Sequence, residues 1–88
     1  MAQQTRTGRP RPDATVQYVI WTGRFEDIPA RWRATGHFRM DDHGDLVVNT
    51  NHGPVPAEVG EYLLRGLAKE FYPMPPALYR AKYEDVDA

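Results

Sequence analysis

Apolar positions are densest over Thr15-Val16-Gln17-Tyr18-Val19-Ile20-Trp21-Thr22, a run rich in β-branched and aromatic residues that stops at Gly23. In an extended chain Val16, Tyr18 and Ile20 share one face and Val19 and Trp21 the other. A strand apolar on both faces is expected to be covered on both, or to lie at an interface. Between Gly36 and Asn51 the pattern predicts a β-hairpin. A three-residue loop Asp42-His43-Gly44, with glycine in the left-handed position, sets Met40 opposite Leu46 and Phe38 opposite Val48. That register makes one apolar face and leaves Arg39 with Val47, and His37 with Asn49, on the other. A two-residue loop would mix apolar with polar partners, so the three-residue loop is preferred.

Further on, apolar residues recur at Val59, Leu63, Leu67 and Phe71, flanked by Tyr62 and Leu64. This spacing predicts a long amphipathic helix from about Pro56 to Tyr72, with Glu61 and Arg65 as an i,i+4 pair and Pro73 as its stop. A shorter helical stretch is expected over Ile28–Arg33, capped by Asp27 and carrying Trp32 inward on the same face as Ile28. Pro73-Met74-Pro75-Pro76 favours extended chain, and Ala77–Glu84 has the pattern of a short helix with Tyr79 and Tyr83 on one face. Residues 1–14 carry Arg6, Arg9 and Arg11 with no large apolar residue after Met1, the composition of a disordered basic arm. The chain therefore reads as one α+β domain over residues 15–72, between that arm and a Pro-rich segment and tail at 73–88. Its expected architecture is a three-stranded antiparallel sheet in β-β-β-α order, with a short helical turn after the first strand. The long helix would pack on the Phe38/Met40/Leu46/Val48 face.

Composition narrows the function classes. With 88 residues and no cysteine, the core is small and neither a disulfide nor a thiolate zinc site is available. No apolar run approaches the roughly 20 residues of a membrane span, and the N-terminus lacks the apolar stretch of a signal peptide. The expectation is a cytoplasmic protein with no membrane partner. A net charge of −1 gives no global pull toward nucleic acid. Nine of the eleven basic residues are arginine, the bias of a GC-rich genome, and with the small size this fits a phage or mobile-element accessory protein.

Three features invite a chemical reading. Gly8-Arg9-Pro10, with Arg6 before it and Arg11 after it, resembles the core of the AT-hook family. The resemblance implies an extended Arg-Gly-Arg-Pro segment laid in the minor groove of A·T-rich DNA. Thr7 stands where that family has arginine, and Pro12-Asp13 follows where it has basic residues. The turn Asp41-Asp42-His43-Gly44-Asp45 gathers oxygen ligands of the kind that suit Ca²⁺ or Mg²⁺, but the same residues are ordinary turn formers and no metal is assigned. His37, His43 and His52 are spaced too far along the hairpin to converge on zinc. No nucleophile–base pair stands out, the chain has no serine, and no cofactor motif occurs, so a non-enzymatic role is expected.

One face of the expected sheet carries Val19, Trp21, Val47, His37 and Arg39, and only the tail with Leu78, Tyr79 and Tyr83, or a second molecule, could cover it. Trp21, Trp32 and Arg39 are of the types enriched at binding hot spots, and with Arg24, Arg31 and Arg33 they could line one surface. The expected function is binding of a protein partner through this face, with a second copy of the chain as the simplest occupant. Two alternatives are a DNA-associated regulator using the basic arm and a structural subunit of a larger assembly.

Overall fold

The computed structural model describes residues 3, 5–10, 16–66 and 68–85. These residues are mostly β. They form strands β1 (Arg6–Pro10), β2 (Val16–Ile20), β3 (Phe38–Met40), β4 (Leu46–Thr50), β5 (Gly53–Ala57), β6 (Tyr62–Arg65), β7 (Phe71–Met74) and β8 (Tyr83–Asp85). A 3₁₀ turn at Phe25–Asp27 and two short helices, α1 (Ala30–Arg33) and α2 (Pro76–Lys82), complete them. One sheet has the order β7-β6-β2-β1-β8 and the other β3-β4-β5, and both are antiparallel.

The hairpin β3–β4 has the register that its hydrophobic pattern demands. Phe38 faces Val48, Arg39 faces Val47 and Met40 faces Leu46. Gly44 closes the turn at φ +80°, where a side chain would be strained. Asp41 Oδ1 accepts the backbone N–H groups of His43 and Asp45, each at 2.9 Å, so this side chain organises the turn. Those bonds, that of Asp45 foremost, hold the Asp41 carboxyl below the usual range.

The expected α+β fold with its long amphipathic helix is overturned. The described residues of 56–72 instead run through β5, a turn, β6, a second turn and the start of β7. Gly60 at φ +95° and Lys69 at φ +63° adopt left-handed conformations that a helix cannot hold. The apolar spacing of four misled because four is also twice the strand period. Leu63 and Phe71 both lie on the inner face of the large sheet, 0% and 2% exposed, whereas Val59 sits on a turn at 68%. Tyr62 and Leu64, which flank that stripe, project from the opposite face.

The layers stack as small sheet, large sheet and helix. Between the sheets lie Val19, Trp21, Ile28, Trp32, Phe38, Leu46, Val48, Leu63 and Phe71, all buried. Helix α1 is short and, contrary to expectation, has Pro29 and not Asp27 at its N-cap, yet it does carry Trp32 into this core beside Ile28. Asp27 accepts the Thr22 hydroxyl at 2.7 Å instead. On the outer face of the large sheet, Val16, Tyr18, Leu64 and Met74 are covered by α2 through Tyr79. Pro76 starts α2, as its fixed φ favours at a first helical position. β1, α2 and β8, which lie outside the expected 15–72 span, belong to the same layers.

Residues 6–10, read from sequence as part of a disordered arm, are an interior strand paired with β2 on one side and β8 on the other. Gly8 is buried under the α2 layer. A Cβ built there would collide with the Tyr79 hydroxyl and lie 2.7 Å from Tyr79 Cζ. The Tyr79 ring has no free direction, being tilted against Tyr18 and Tyr62 at 4.7 and 4.9 Å and stacked on Tyr83 at 5.1 Å. Gly8→Ala is therefore expected to destabilise the protein by about 1–3 kcal/mol, as overpacking does. Chemical denaturation reads this directly, and an unchanged midpoint would mean that Tyr79 moves aside freely.

Candidate functional site

The face expected to receive a partner does not exist as one surface. Val19, Trp21 and Trp32 are 0%, 3% and 2% exposed within the inter-sheet core. Val47 is buried on the other side of the small sheet, with Arg39 opposite it in β3. The sequence reading placed β2 and the hairpin in one sheet. In the structure β2 pairs with β1 and β6, and the hairpin lies across it, so the chain covers its own apolar face. Val19, Trp21 and Val47 therefore do not form the shared exposed face on which the expected homodimer was drawn. Of the expected partner residues, His37 and Arg39 remain accessible. His37 Nδ1 lies 3.1 Å from the Asn49 carbonyl, and its ring sits 5.1 Å from that of Phe71.

The AT-hook-like residues Arg6, Gly8, Arg9 and Pro10 all fall in β1, and Arg11 lies outside the described residues. A minor-groove segment needs a free backbone, whereas this one is hydrogen-bonded along both edges. Gly8 is explained by the Tyr79 hydroxyl above it. Among the described residues no three His, Asp or Glu side chains gather as metal ligands, and the three histidines do not converge.

The structure brings together two groups that local motifs did not show. The first is a tyrosine cluster beneath α2. Tyr18 Oη donates to both carboxylate oxygens of Asp85, at 2.9 and 3.1 Å, and Tyr79 Oη donates to the same carboxylate at 3.0 Å. The Tyr72 and Tyr83 hydroxyls lie 3.2 Å apart. Burial, followed by the Asp85 hydrogen bond, pushes the Tyr18 hydroxyl up to about 12 and raises that of Tyr79. Burial, followed by the bond to Tyr83, raises Tyr72. This cluster ties α2 and the edge strand β8 to β2 and β7 of the same sheet.

The second is a cleft of about 330 Å³ lined by Gln17, Arg31, Trp32, Thr35, Arg65 and Phe71. Strand register explains it. Thr7, Gln17, Arg65 and Phe71 form one row across β1, β2, β6 and β7. The next row inward, Val19 and Leu63, is fully buried, so the inner face turns from apolar to polar here. Helix α1 and the turn after it form the other wall. Thr35 Oγ1 is held by the Trp32 carbonyl at 2.6 Å. Arg33 points away, its Nε donating to the Ile28 carbonyl at 2.9 Å. Arg31, Arg65 and Gln17 make no side-chain hydrogen bond or ion pair among the described residues. The expected Glu61–Arg65 pair is absent, since Glu61 Oε1 accepts the Glu58 N–H at 2.7 Å. Phe71 also borders a second cleft of about 420 Å³, which includes Val55, Glu70, Tyr72 and Pro73.

Two guanidinium groups without a side-chain partner among the described residues can recognise an anionic group. No protein-family model, curated protein or solved structure matches this chain. No helix of the described residues is long and apolar enough to cross a membrane.

Proposed function

We propose that the protein is a non-enzymatic interaction module that binds a protein partner over the cleft around Arg31 and Arg65. The observation that carries this reading is the pair of arginines, without carboxylate partners among the described residues, beside a tryptophan and a phenylalanine. A pair of arginines without a side-chain partner among the described residues, at the mouth of the core, matches a residue type that anchors interfaces. The accessible partner candidate His37 touches the same Phe71 ring and extends the surface toward the second cleft.

The test is affinity capture from an extract of the source cells, using the whole chain and the double variant Arg31→Glu/Arg65→Glu. A stoichiometric protein captured by the wild type, with retention reduced by roughly tenfold or more in the variant, is the expected result. The variant should keep its thermal midpoint, because both arginines reach solvent. An A·T-rich duplex measured alongside is expected not to bind. Tight duplex binding without a captured protein would move the function to the DNA-regulator reading.

A further inference from the structure

We infer that the arginine cleft clamps the carboxylate of an aspartate or glutamate in an extended segment of the partner protein, and that the adjacent cleft takes a neighbouring apolar side chain. This rests on the interaction-module reading and adds the chemistry of the ligand.

The charge pattern selects the ligand. The six residues lining the first cleft include two cations and no acid. Arg65 stands in the sheet with Gln17 as its cross-strand neighbour, so a guanidinium fork and a free carboxamide project from one rigid row. Arg31 reaches the cleft from α1, on the opposite wall. A planar carboxylate fits a fork of parallel N–H donors, and an approach from two walls fixes its orientation. The chain as a whole has a net charge of −1, and Glu70 lines the neighbouring cleft. A string of phosphates leaving the arginines along that path would meet Glu70, whereas an apolar side chain would meet Val55, Tyr72 and Pro73, in a cleft that Thr50, Asn51 and His52 complete. One acid followed by an apolar residue therefore matches the surface better than a nucleic-acid strand. Phe71, which borders both clefts, places the two subsites side by side.

Fluorescence anisotropy of the full chain with a labelled peptide of alternating Glu and Leu tests this. The expected result is saturable binding that weakens on the order of tenfold when each Glu is replaced by Gln. Arg65→Lys keeps the charge but loses the fork, and should weaken binding several-fold. Arg31→Gln/Arg65→Gln should remove the preference for Glu over Gln altogether. Equal binding of the Glu and Gln peptides overturns the inference, as does competition by inorganic phosphate at lower concentration than by glutamate. Tighter binding of a single-stranded oligonucleotide also overturns it. If the peptides fail in this way while partner capture still depends on Arg31 and Arg65, the ligand class falls and the interaction surface stands. If neither depends on the arginines, both fall.

Discussion

Replacing Trp32 by alanine is expected to remove about 3–5 kcal/mol of stability, a large share of what a chain of this size has. At roughly 0.05–0.15 kcal/mol per residue, a chain of 88 residues has a total stability of about 4–13 kcal/mol. Trp32 is 2% exposed, and its ring lies 5.1 Å from Phe71 of the large sheet and 6.2 Å from Phe38 of the small one. It is thus the side chain through which the one-turn helix α1 joins both sheets. Helix α1 is only four residues long and has no side-chain cap, so packing and not helix propensity holds it. Loss of the ring releases the helix as well as opening a cavity. Urea unfolding followed by the fluorescence of Trp21 measures the effect, with Trp32→Phe as the milder variant. A loss below about 1 kcal/mol for the alanine variant would show that the sheets hold together without this contact.

The same side chain shows where the sequence was informative. Short-range patterns were reliable when a turn fixed them. The Asp42-His43-Gly44 loop dictated the register of β3 with β4, because only one pairing put Phe38, Leu46 and Val48 on a common face. The β-branched and aromatic run of β2 declared its strand and its burial on both faces. The source of that burial was not legible. One cover comes from a hairpin that crosses β2, and the other from a helix that begins more than fifty residues later, and neither pairing leaves a local mark. Residues 56–72 failed for a definite reason, since an apolar spacing of four satisfies both a helix and a strand face. Gly60 and Gly66 within that segment were the signal against the helix. Gly8 carried two meanings of the same kind, groove approach or close packing, and only the position of Tyr79 decides between them. The arginine cleft draws on Gln17, Arg31 and Arg65 from three separate elements, so it became visible only once β2, β6 and α1 were placed together.

Alkaline titration should unfold the protein between about pH 10 and pH 12, by way of the tyrosine cluster. An unfolded tyrosine ionises near 10. In the folded state burial and the Asp85 carboxylate push the Tyr18 hydroxyl up to about 12, and Tyr79 and Tyr72 are raised as well. A raised folded value means that the native state prefers the neutral phenol more strongly than the unfolded chain does. The stability from that preference is therefore complete below pH 10 and is lost as pH rises toward the folded values. Each raised tyrosine contributes a slope of up to about 1.4 kcal/mol per pH unit in this window. Three acting together can exhaust the stability of a small domain within two units. The geometry makes the loss abrupt, because a phenolate at Tyr18 or Tyr79 would face the Asp85 carboxylate and turn a hydrogen bond into a repulsion. Ultraviolet absorbance of phenolate and far-ultraviolet circular dichroism should then change in one cooperative step. Tyr18→Phe should make the pH dependence shallower by about one proton. A phenolate titration that is complete near pH 10 with the sheet signal intact would show that the cluster does not hold α2 and the edge strand β8 in place.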